Sequence, residues 1–187
     1  MNQRIIGALA VVSLGVAAQA LELKPRVAIC AAASASVTAV QFTDPQAKLN
    51  STNLFSAVDI INAGSTTPSL AQLSEYDAVM VWSNVNFQNS TTLGDNLADY
   101  VDAGGGVVMT VFAVSTTSAN RFLLGRWSPG YEIIPRNGGN LSTGGAQGLG
   151  NILVPGHPIL DGVNTFTTGT SAFRPVSTAL QSGCTLI

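Results

Sequence analysis

Between residues 26 and 112, short apolar runs alternate with amphipathic or polar stretches, and this alternation predicts the architecture. Residues 26–31 (RVAICA) form an unbroken apolar run after Pro25, as expected of a strand buried on both faces. Asp44-Pro45 reads as an N-cap followed by proline at the first helical position, which predicts a helix over 46–57. Residues 58–62 form a second strand, closed by Ala63-Gly64, and 68–73 supply a turn or two of helix. The run 77–82 (DAVMVW) is the clearest strand and ends in polar Ser83-Asn84. Thr92 then caps a helix with Leu93, Leu97, Tyr100 and Val101 on one face at 3.6-residue spacing. Gly104-Gly105-Gly106 stops it, and 106–112 form strand four.

Strand and helix in this alternation mean βαβ units and a mainly parallel sheet with right-handed crossovers. The fold class is therefore α/β, a flavodoxin-like three-layer sandwich. Beyond Phe112 the texture changes to a Gly-rich excursion over 115–150, with regular signals returning at 151–154 and 156–159. The last four residues, 184–187, look like a strand just begun. They predict a domain truncated at its C-terminus.

The N-terminus reads differently. Arg4 precedes an apolar run over 5–17, and Ala18-Gln19-Ala20 fits the small-x-small cleavage pattern. The run is short for a membrane span, which needs about 20 residues. Residues 1–20 are thus read as a signal peptide and 21–187 as one domain, exported to the periplasm, the cell surface or the medium. No later stretch is long and apolar enough to cross a bilayer.

Composition narrows the partners. Charged residues make up 10% of the 187, the formal net charge is −2 and 46% of residues are apolar. That excludes a solvated disordered chain, and the acidic pI near 5.1 argues against nucleic acid. Cys30 and Cys184 have two readings: a disulfide formed in an oxidising compartment, or two small buried residues, which their apolar neighbours favour. No ligand spacing for a metal occurs, and no cofactor is expected. The triple glycine follows a helix instead of opening one, so it is a C-cap and not a phosphate loop.

Candidate site residues follow from the rule that open parallel sheets bind ligands beyond the carboxyl ends of their strands. That places Ser34 and Ser36 after strand one, Ser83, Asn84 and Asn86 after strand three, and Ser115 and Thr116 after strand four. Hydroxyls and amides of this kind suit a neutral carbohydrate or surface polymer, with Trp82 as an apolar platform. Arg126, beside Trp127, is a further candidate as a cation–π partner or carboxylate clamp. His157 is the lone histidine. It is either an acid/base or a turn residue whose imidazole bonds the backbone.

The segment Leu73-x-x-Tyr76-Asp77 through Trp82-Ser83, the helix end Tyr100 to Gly106, and Gly156-His157-Pro158-Ile159-x-x-Gly162-Val163-x-x-Phe166 together resemble the class I glutamine amidotransferase-like superfamily. Within it they look closest to the trehalose-utilisation (ThuA-like) proteins and related secreted domains, over residues 26–175. The amidotransferase branch places a Cys nucleophile on a sharp turn after a strand. The comparable turn here follows Phe112, reads Ala113-Val114-Ser115-Thr116 and holds no Cys, so glutaminase chemistry is not expected. The resemblance implies a non-catalytic binding or interaction module. Its alternatives are a ThuA-like carbohydrate-active enzyme using His157, or a fragment of a larger surface protein.

Overall fold

A computed structural model describes residues 23–136 and 139–187; the leader read in residues 1–20 lies outside them. Four strands, β1 (Arg26–Ala32), β2 (Ala57–Asn62), β3 (Ala78–Ser83) and β4 (Gly106–Met109), form one parallel sheet in the order β2-β1-β3-β4. The first strand thus lies inside, flanked by the second and third strands of the chain, as in flavodoxin-like sheets. Register is set by apolar pairs such as Val27 with Val58 and Ile29 with Ile60 on one side, and Cys30 with Val81 on the other.

Period-2 alternation along β1 divides the core into two layers. Val27, Ile29 and Ala31 pack with Phe42 of α1 (Val40–Ser51) and with Val58. Ala28, Cys30 and Ala32 point the other way, joining Val79 and Val81 of β3 against Leu93, Leu97 and Tyr100 of α3 (Ser90–Asp102). Helices on both faces explain why β1 reads as an unbroken apolar run. The fold is the α/β sandwich expected. A one-turn α2 (Leu70–Leu73), opened by a Ser69–Gln72 capping box, sits on the α3 side and buries Leu73.

Three element boundaries differ from the sequence expectation. Helix α1 begins at Val40 and carries Pro45 inside it. The ring removes the hydrogen bond to the Gln41 carbonyl, and because Gln41 is exposed, water can take that carbonyl instead. Phe42, fully buried, is the anchor that sets where the helix lies. At α3 the cap is Asn89, whose Oδ1 accepts from Thr92 N at 3.0 Å. Strand β4 leaves its ladder after Met109, and three residues later Phe112 turns at φ +74°.

After α3, Gly104 at φ +98° and Gly105 close the helix through bonds from their N–H groups to the Val101 and Tyr100 carbonyls. A Cβ on Gly105 would run into the Tyr100 ring, which lies flat beneath it. The triple glycine is therefore the helix stop the sequence predicts. Beyond β4, a 3-10 turn at Gly125–Trp127 docks on α3, and β5 (Asn140–Gly144) pairs antiparallel with β6 (Ser171–Pro175) in a separate two-stranded sheet. Residues 151–154 and 184–187 form no strand. Among the described residues no helix is long and apolar enough to cross a membrane.

Candidate functional site: a crevice at the carboxyl end of the sheet

Where β1, β2 and β3 end, their following loops are tied to one another by backbone bonds. Asn84 N and Val85 N donate to Ala32 O at 2.7 and 2.9 Å, and Ala63 N donates to Ala31 O at 2.8 Å. Asn62, the last residue of β2 and 5% exposed, holds the loop after β1 with its side chain. Its Nδ2 donates to Ser34 O and Ala35 O at 2.9 and 3.2 Å, while its Oδ1 accepts from Gly64 N at 3.0 Å. These bonds leave a cavity of about 700 Å³ whose walls include Ser34, Asn62, Asn84, Asn86 and Arg121.

Across Asn84 lies a second hollow of about 420 Å³ over Trp82, Ser83, Thr110 and Phe112, bounded by Gln41 and Asp44 of α1. The Trp82 ring is half-buried and tilts against Phe42, 6.4 Å between centroids. Ser83 is fully buried, and its hydroxyl donates to the Arg121 carbonyl. Phe87 N donates to Asn120 O at 2.8 Å, so the segment 118–121 is clamped over the end of β3. Phe112 stands between Arg121, whose Cζ is 4.7 Å from its ring centroid, and Phe173 of β6 at 4.9 Å.

The structure therefore brings Ser34, Trp82, Ser83, Asn84 and Asn86 together along one end of the sheet. Other candidates lie elsewhere. The Ser36 hydroxyl is spent on Thr38 at 2.7 Å. Ser115 is buried and donates to the Gly139 carbonyl, and buried Thr116 accepts from Ser118 N at 3.2 Å. Arg126 reaches across α3 to Asp99, Asp102 and Tyr131 and clamps carboxylates of its own chain; its cation–π partner is Tyr131, not Trp127. His157 lines a separate surface hollow with Asp161, and its Nδ1 accepts from Ile159 N at 3.2 Å as the cap of a 3-10 turn.

Two residues at the crevice escaped sequence reasoning. Asn62 carried a faint signal, as a polar residue closing an apolar strand. Arg121 carried none, because only the folding of the 118–121 segment over β3 brings it there. Of possible nucleophiles, Cys30 is fully buried in β1, and desolvation pushes its thiol up to about 12. At neutral pH it is an unreactive thiol. Both cysteines are free. Among the described residues no group of three or more His, Cys, Asp or Glu side chains is placed to hold a metal ion.

No family model, curated protein or solved structure matches the chain.

Proposed function

We propose that the chain is an exported binding or interaction module, built on an amidotransferase-like scaffold without its nucleophile, that takes a polyhydroxylated ligand in the crevice beyond β1–β3. One observation carries the reading: the 700 Å³ cavity lies at the point where strand order reverses, and its polar walls are dominated by hydroxyl and amide groups. Such groups donate and accept at once, which suits sugar hydroxyls. Export rests on the leader-like residues 1–20.

The turn after β4 supports a non-catalytic role. In the amidotransferase-like resemblance this is where a nucleophile would stand, strained and exposed. Here the residue with positive φ is Phe112, which offers no nucleophilic atom, and in the turn that follows it Ser115 is buried with its hydroxyl donating to the Gly139 carbonyl. Cys30 lies in the core and His157 caps a turn away from the crevice.

The test is a thermal melt of the chain with a panel of neutral and acidic sugars. A ligand of the native state raises Tm saturably, adding about 2.7 kcal/mol at 100 times its Kd. Asn84→Ala should weaken that shift. A panel that moves Tm nowhere overturns the reading.

A further inference from the structure

We infer that Arg121 makes the crevice selective for a monoanionic ligand that carries a carboxylate on a hydroxylated frame, an acidic sugar of the uronate kind. This rests on the reading of the crevice as the ligand site and names the class of ligand it takes.

Arg121 is held where it is by its neighbours and not by a counter-ion. Its carbonyl accepts the Ser83 hydroxyl, its N–H donates to Ser118 O at 3.3 Å, and its guanidinium lies over the Phe112 ring. None of the ion pairs among the described residues includes it; Arg26 is taken by Asp59 and Glu75, and Arg126 by Asp99 and Asp102. Its Nε is buried without a hydrogen-bond partner. That Nε is shielded from solvent and does not itself meet a ligand; Arg121 contributes to the crevice as the one cation of its lining, with no ion-pair partner among the described residues.

The surroundings select the ligand. Among the described residues lining the cavity, Arg121 alone is charged, and no carboxylate competes for it. A guanidinium presents parallel N–H groups that match the two oxygens of a carboxylate. One cation balances one negative charge. A phosphate monoester, near −2 at neutral pH, would leave charge unmatched among neutral amides. Ser34, Asn84 and Asn86 then face the rest of the ligand with hydroxyl and amide groups suited to ring hydroxyls.

The experiment is calorimetric titration of the purified chain with D-glucuronate, D-glucose, D-glucose 6-phosphate and acetate, repeated with Arg121→Gln and Arg121→Lys. Glucuronate should bind at least tenfold more tightly than glucose and than the phosphate ester, and acetate should bind far more weakly. Arg121→Gln should erase the preference over glucose. Arg121→Lys keeps the charge without the fork, so it should lower glucuronate affinity severalfold and narrow the preference over glucose; this arm decides if the Gln variant does not fold. Equal affinity for glucose and glucuronate overturns the inference and leaves the crevice reading standing. So does a preference that survives Arg121→Gln. Tightest binding of the phosphate ester overturns the monoanion assignment, and acetate binding as tightly as glucuronate overturns the hydroxylated frame. Binding of none of the four overturns the inference and the crevice reading together.

Discussion

Arg126 Nη2 stands 2.7 Å from Asp102 Oδ2, and Tyr131 Oη donates to the other oxygen of the same carboxylate at 2.6 Å. Hydrogen bonds from Tyr131 and then Arg126 hold the Asp102 carboxyl below its ordinary range. A depressed carboxylate stabilises the fold above its unfolded value, about 3.9, and that contribution is lost as pH falls through the lower folded value. Amide exchange in 125–131 should therefore quicken as pH drops below about 4, once corrected for intrinsic rates. In Asp102→Asn it should be fast already at pH 7, with that acid dependence gone. Because these side chains are half exposed, added salt should weaken the same protection.

The 3-10 turn has a second anchor. Gly94 in α3 faces the Leu124 carbonyl so closely that a Cβ would run into it, with Trp127 directly behind. Gly94→Ala should destabilise the chain by about 1–3 kcal/mol, the usual cost of overpacking, although alanine is the better helix former. A Tm no lower than that of the parent chain would mean that the turn docks less tightly on α3 than described.

Thiol chemistry should separate the two cysteines. Cys30 is fully buried and protonated at neutral pH, whereas Cys184 is partly accessible. Titration with a chromogenic disulfide should modify Cys184 in the native protein, with Cys30 reacting only after denaturant is added. Two thiols reacting alike in the native state would contradict the packing of β1.

Asn62 supports the crevice rather than lining it passively. Asn62→Ala would strip the partner from two loop carbonyls and one N–H at once. The expected loss is about 1–3 kcal/mol of stability, together with weaker ligand binding, as Ser34 and its loop lose their tether. Retained stability and retained binding would show that the loop is held by other bonds.

Much of the sheet was legible in the sequence because hydrophobic periodicity is a local signal. The unbroken run of β1, the apolar stripe of α3 and the glycine stop after it each depend on residues a few positions apart. Helix α1 was misplaced for a physical reason: Asp44-Pro45 is the usual local mark of a helix start, yet the burial of Phe42 draws the cap five residues back, from Asp44 to Ala39. Strands β5 and β6 gave no signal, since a ribbon outside the main core does not need alternating apolar residues. The crevice divides in the same way. Asn84 and Asn86 follow from the end of a readable strand, whereas Arg121 arrives only through contacts made across the chain.

The topology also sets a timetable for synthesis. β1 is the most buried strand, and both of its sheet partners lie after it in the chain. Fifty-one residues separate Arg26 from Asp77, at the threshold of β3. At translation rates of about 5–20 residues per second, β1 waits roughly 3–10 seconds for its second neighbour. During that wait its apolar faces and open backbone need shelter, which makes β1, the earliest strand of this sheet, the one most exposed to premature association.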